Sequence, residues 1–279
     1  MGGLVSGFLD TMARASAERV AHARSRESEG ALARRAREAG ASPPLALSSG
    51  GFDVIAELKL RSPAAGVLGD AGDDLLGRVA AYARGGAAAV SVLTEPSRFD
   101  GSMEHLRQAA AVLAPLGVPA MRKDFLVDPY QVLEARAAGA GGVLVIVRML
   151  DRARIVELLD AAAEQAMFVL LEAFDAADLG TARDVLTARA SRGEQVLIGI
   201  NSRDLQTLKV VPECFAALAP QLPPGWPAVA ESGVASAADA RQMRQLGYGL
   251  ALIGTALMVH ANPSQLLRQI FQATRTVPP

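Results

Sequence analysis

The chain has 279 residues, 51% hydrophobic and only 4% aromatic, with a formal net charge of −1. A near-neutral chain offers no global field to hold nucleic acid or an anionic membrane. One cysteine, Cys214, excludes an internal disulfide framework and a cysteine-based zinc site, and points to a reducing compartment, the cytoplasm.

Residues 4–40 read as helix, with Leu4, Phe8, Leu9 and Met12 on one face. Arginines and glutamates interleave along it, the pattern of a solvated face with local ion pairs. Nothing in the first twenty residues has an apolar signal core, so no export signal is expected. No apolar run reaches the length of a membrane span. Segment 41–52 carries Pro and Gly breakers and reads as a loop. Residues 1–52 are therefore expected as a helical extension with its loop, and 53–279 as one catalytic domain.

From residue 53 short apolar runs alternate with Ala/Leu/Arg-rich helical stretches. The predicted strands are 54–60, 88–94, 119–125, 141–147, 167–174, 196–201, 227–232 and 250–256. Several intervening helices end in Gly, in YARGGAA, EARAAGAGG and RQLGYG. Eight strand–helix repeats predict an α/β fold, a (β/α)8 TIM barrel. A doubly wound sheet is the alternative, but the chain lacks its GxGxxG phosphate loop.

Of 28 basic residues only three are lysines: Lys59, Lys123 and Lys209. Arginine stays charged, whereas a buried lysine can exchange protons, so a lysine kept in this background is a candidate for chemistry. Lys59 and Lys123 fall late in strands 1 and 3, where a barrel keeps its active site. Lys209 lies among polar loop residues and reads as incidental. Cys214 reads as a packing residue.

Other polar residues cluster late in the predicted strands. They are Glu57 and, just after strand 1, Ser62; Glu172 on strand 5; Asn201 with Arg203 after it; Glu231 and Ser232; and Thr255. Period-two alternation turns Glu57 and Lys59 the same way. Arg122 and Asp124 alternate away from Lys123 and are expected to pair with helices. The loops ESGVAS (231–236) and GTAL (254–257) follow the last two strands, where barrels commonly bind phosphate. There Gly233 and Gly254 permit close backbone approach, and Ser232 and Thr255 offer hydroxyls.

The blocks FLDTMARASAERVA, IAELKLRSPAAG, VSVLTEPSRFDGS, MRKDFLVDPYQ, LIGINSRDLQTL, AVAESGV and LIGTALM occur in order. In them the chain resembles indole-3-glycerol-phosphate synthase, a tryptophan-pathway enzyme. The resemblance implies closure of the ring of 1-(o-carboxyphenylamino)-1-deoxyribulose 5-phosphate. Carbon dioxide and water are lost, with no metal or organic cofactor. It implies Lys123 as general acid, Glu172 as general base, and Lys59 as carboxylate holder with a further acid duty in dehydration. Glu57 would lie near the reacting hydroxyl, and Asn201, Glu231 and Ser232 would hydrogen-bond substrate. Gly233, Gly254 and Thr255 would hold phosphate with Ser62 nearby, Phe125 would line the ring pocket, and Arg203 would also bind substrate.

Two departures stand out: SPAAG lacks a further lysine common in the family, and Ala173–Phe174 follow Glu172 in place of a more polar pair. They leave room for a paralogue that takes a substituted anthranilate. A phosphate-binding barrel isomerase is the other alternative. The isomerase one step earlier would use an Asp–Cys pair, yet Cys214 lies away from the strand ends. The expected partner is a small phosphorylated substrate, with no nucleic acid and no membrane, in a monomer or homodimer.

Overall fold

The computed structural model describes residues 6–62, 66–68, 74–205 and 207–275. Leu4 and the centre of SPAAG lie outside the described residues. Eight parallel strands close into a barrel. They are β1 (Asp53–Leu58), β2 (Ala89–Leu93), β3 (Ala120–Lys123), β4 (Gly142–Ile146), β5 (Phe168–Ala173), β6 (Val196–Asn201), β7 (Ala228–Glu231) and β8 (Leu250–Ile253). Each pairs with its chain neighbours, and β1 closes on β8 through Asp53↔Leu250 to Ala56↔Ile253. Helices lie between successive strands, and Gly86, Gly139 and Gly247 end three of them at positive φ.

The strands are apolar on both faces because each face meets a different core. Outward residues such as Val54, Ala56, Val143, Val145, Ile198 and Ile253 pack beneath the helices. Inward residues form a second core. There Ile55, Met121, Leu170 and Val229 come from β1, β3, β5 and β7. Two residues later the same four strands carry Glu57, Lys123, Glu172 and Glu231. Alternate strands supply one layer of a barrel interior. The uppermost layer here is thus charged and the one beneath it is apolar.

Several strands end earlier than their apolar runs suggest. The third strand stops at Lys123, and β8 stops at Ile253. Thr255 opens a short helix, Thr255–Val259, instead of ending a strand. A two-stranded hairpin, Arg61–Ser62 with Gly66–Val67, follows β1.

The N-terminal stretch is two helices, α1 (Ser6–Arg26) and α2 (Glu29–Glu38), in place of the one expected. Ser28 breaks it with an extended backbone, and its Oγ accepts from the Ala31 amide at 3.3 Å, an N-cap. The arginines of α1 also do more than solvate. Arg19 reaches Asp124 at 2.8 Å and Arg24 reaches Asp128 at 2.8 Å, both in the segment after β3. Leu9 and Met12 of α1 join the inner core. The loop 41–52 crosses the opposite end, where Leu45 joins that core and its carbonyl accepts from Gln195 at 3.0 Å.

Candidate active site

A cavity of about 330 Å³ opens at the C-terminal ends of the strands. Every candidate residue named from the sequence lines it: Glu57, Lys59, Ser62, Lys123, Phe125, Glu172, Asn201, Arg203, Glu231, Ser232, Gly233, Gly254 and Thr255. Lys209 is exposed and does not. Cys214 is half-buried against the outer core, and burial pushes its thiol up to about 11. Among the described residues no three His, Cys, Asp or Glu side chains form a metal-holding group.

Two ion-paired groups occupy the floor. Lys59 Nζ donates to Glu57 Oε1 at 2.7 Å. Burial pushes the Glu57 carboxyl up, but Lys59 and then Lys123 outweigh it and hold the group ionised, below its ordinary range. Lys123 Nζ donates to Glu172 Oε2 at 3.1 Å and to Glu231 Oε2 at 3.3 Å. Burial pulls the Lys123 ammonium down. The carboxylates of Glu172, Glu231 and Glu57 together overcome this and raise it, so it stays charged.

Two glycines make room for these side chains, and sequence reasoning missed one of them. A methyl group on Gly199 would overlap Glu231 Oε1, and one on Gly254 would overlap Glu57 Oε1. Gly199 sits mid-strand in an apolar run, where no local signal marks it. For Gly254, expected at the phosphate, the structure adds a clearance role beneath Glu57.

Asn201 and Ser232 are held together, since the Ser232 hydroxyl donates to Asn201 Oδ1 at 3.0 Å. The Arg203 amide donates to the same oxygen at 3.0 Å. Ser232 has φ +66° and Gly233 φ +82°. A serine in the left-handed region costs free energy and is retained where surroundings over-determine it. The Arg203 guanidinium donates to the Leu208 carbonyl at 2.6 Å, and burial lowers its ordinary affinity for the proton.

The remaining cavity wall is apolar. Phe125 packs edge-on against Phe8 of α1 at 5.9 Å and tilted against Phe99 at 6.3 Å. Leu9, Leu93, Ile146 and Phe174 complete this side. Phe8 and Leu9 carry no signal of this role in the sequence, because nothing in an amphipathic helix says which end will meet the barrel mouth; for Phe99, on the short helix Pro96–Phe99, the one signal is its place after a strand end. Of the Ala173–Phe174 pair, Ala173 points outward into the helix layer and only Phe174 faces the cavity. The Arg148 guanidinium lies 4.6 Å over its ring, itself held by Asp175 at 2.6 Å and Asp178 at 2.8 Å.

Arg122 and Asp124 face away from Lys123. Asp124 accepts from Arg19, the Thr94 hydroxyl and the Phe125 amide, each at 2.8 Å, and from Arg122 at 3.1 Å. Arg122 also reaches Glu134 at 3.0 Å.

A cavity at the strand C-termini, floored by two lysine–carboxylate groups and walled by phenylalanines, matches the resemblance carried by the motifs. The family model described as indole-3-glycerol phosphate synthase matches residues 9–270. This chain belongs to the indole-3-glycerol phosphate synthase family. A Parafrankia sp. (strain EAN1pec) indole-3-glycerol phosphate synthase is 42% identical over 79% of this chain and 78% of the relative. The enzyme of that name from Mycobacterium tuberculosis (strain CDC 1551 / Oshkosh) is 39% identical over 86% and 85%. Among solved structures, 3-hexulose-6-phosphate synthase from Salmonella typhimurium superposes with a TM-score of 0.60. It is 14% identical and covers 80% of this chain and 98% of its own, a likeness of fold alone.

Proposed function

We propose that this chain closes the ring of 1-(o-carboxyphenylamino)-1-deoxyribulose 5-phosphate to indole-3-glycerol phosphate, acting as a carboxy-lyase in tryptophan biosynthesis. The observation that carries this reading is the pairing of two buried lysines with carboxylates at one apolar-walled barrel mouth. Converting a carbonyl oxygen to water takes a proton donor, and forming the indole double bond takes a base.

In this reading the aryl ring lies against Phe125, Phe8 and Leu9, with its carboxylate toward Lys59. Lys123 stands where it can protonate the ribulose carbonyl oxygen as the ring carbon attacks. Glu172 is the base. Glu57 holds Lys59 and meets the reacting hydroxyl. Asn201, Ser232, Glu231 and Arg203 hydrogen-bond the sugar chain. The phosphate sits at Gly233, Gly254 and Thr255, near Ser62. The backbone amides of the Thr255–Val259 helix start there, and a helix N-terminus favours an anion. The cytoplasm is the compartment this reading assigns to the enzyme, in keeping with its single cysteine. No helix among the described residues is long and apolar enough to cross a membrane.

The test is direct. Purified protein with EDTA is mixed with the carboxyphenylamino-deoxyribulose phosphate, and indole absorbance and fluorescence are followed. A rising indole signal is expected, and a flat trace overturns the assignment. Phe174 favours a second reading, since its clamped apolar ring narrows the pocket beside the base. A paralogue specialised for an apolar ring substituent would turn over a methyl- or halogen-substituted anthranilate derivative faster than the parent.

A further inference from the structure

The chemistry above delivers two protons to one oxygen, and the groups around Lys123 offer a route for the second. Turning one carbonyl oxygen into water consumes two protons. Lys123 holds one to give. A second is needed before the neighbouring methylene releases any; Lys59, to which the resemblance gives that duty, is one source, and the carboxyl pair beside Lys123 is another.

Glu172 and Glu231 both lean on the single ammonium of Lys123, at 3.1 Å and 3.3 Å. Their side chains are 3% and 1% exposed, so water does not screen them from one another. Both carboxylates converge on that one nitrogen, and any bond between two carboxyl groups requires a proton. Glu231 Oε1 has no donor of any kind and is buried over Gly199. Leaving a buried anionic oxygen bare is costly. The other charges facing this group are Glu57 and Lys59, which pair with each other from β1, and Arg203 after β6. None of these supplies a donor to Glu231 Oε1.

We propose that Glu172 and Glu231 store one proton between them and use it to refill Lys123 after Lys123 has protonated the substrate oxygen. Burial, and then the charge of Glu172, push the Glu231 carboxyl well above the ordinary carboxylate range, against the pull of Lys123. Two carboxylates forced together behave this way wherever both cannot ionise at once.

The sequence of events balances. As the ring carbon bonds to the carbonyl carbon, the Lys123 proton passes to the carbonyl oxygen. Loss of CO2 returns its electron pair to the ring and needs no proton. The stored proton moves to Lys123, leaving both carboxylates ionised. Lys123 then protonates the hydroxyl, the C–O bond breaks and water departs. The methylene C–H proton goes to Glu172, now an ionised base, as the C=C bond forms. One proton returns in this way and one enters from solvent, as decarboxylation of a carboxylate requires.

This inference rests on the reaction assigned above, so its test has an arm that needs no turnover. In the infrared spectrum of the resting enzyme at neutral pH, a protonated carboxyl C=O stretch is expected above the amide I envelope. It should vanish in Glu231→Gln and be lost or shifted in Glu172→Gln. Absence of the band in the wild-type enzyme, or a band that neither substitution touches, overturns the proposal whatever the substrate. The second arm follows one turnover of Glu231→Gln, whose amide cannot give up a proton to Lys123. Release of CO2 should persist while indole fluorescence lags behind it by at least about tenfold. If the two signals slow together, the stored proton is not what Lys123 draws on.

Discussion

Strand β3 carries two charged clusters on opposite faces, and they are built to opposite standards. Outward, the Asp124 carboxylate accepts from four donors on three segments, with no lone oxygen left over. Inward, one ammonium serves two carboxylates, and Glu231 Oε1 has no donor. A saturated buried network fixes geometry and gains nothing from a change of protonation. An undersupplied one stays responsive, because a ligand or a proton completes it. The difference separates scaffold from chemistry in residues that adjoin in sequence.

The largest break in that contrast is Lys123→Ala. It should leave the barrel folded and lower turnover by at least about 10². Circular dichroism checks the first claim and indole fluorescence the second, and an unchanged rate removes Lys123 from the mechanism. Next is Gly199→Ala. Its added methyl takes the space of Glu231 Oε1 and crowds Leu170 Cδ1 at 3.1 Å. Misplacing a reacting group by about 1 Å can cost about 10²-fold. A fall of about 10–10² in kcat is therefore expected, and a wild-type kcat would show that Glu231 has no required position.

The outward cluster should answer differently. Arg19→Met removes the link between α1 and Asp124, where the arginine side chain is 31% exposed. A loss of about 1 kcal/mol is expected, and a drop of about 2–3 °C in Tm. KM should rise more than kcat falls, since Phe8 and Leu9 of α1 line the ring side. An equal fall of kcat with KM unmoved would detach α1 from substrate binding.

Asp124 also carries a pH signature. Burial pushes its carboxyl up, but Arg122, Arg19, the Thr94 hydroxyl and the Phe125 amide outweigh that and lower it. Its folded value therefore lies below its unfolded one. The stabilisation is present above the ordinary carboxylate range and is lost as pH falls through the lowered value. Urea midpoints measured from about pH 7 to about pH 3 should fall more steeply for the wild type than for Asp124→Asn. Parallel curves would place the pairing at no net value. Smallest is Lys209→Gln, exposed and outside the cavity, with stability expected within about 0.5 kcal/mol and turnover unchanged.

The four charged positions of the inner layer are legible in the sequence alone. Apolar strands tolerate no idle charge, and period-two alternation sets Glu57 with Lys59 and turns Arg122 and Asp124 away. What the sequence hides is of another kind. Ser28 divides the N-terminal helix because an N-cap competes with helix continuation, a choice the interleaved charges conceal. Phe8 and Leu9 belong to the ring side because α1 crosses the barrel mouth, and Phe99 because the short helix Pro96–Phe99 after β2 lies there.

Local periodicity and residue chemistry are enough to fix the eightfold strand–helix rhythm, the facing of the charged residues on strands 1 and 3, and the identity of the ionisable residues. Which charges share a partner is settled by the closed barrel. Lys123 meets Glu172 49 residues away and Glu231 108 residues away, and Arg19 meets Asp124 across 105. The inward pairings depend on barrel closure and on the clearance that Gly199 gives Glu231 and Gly254 gives Glu57. Both are set by packing between strands, which no stretch of neighbouring residues encodes.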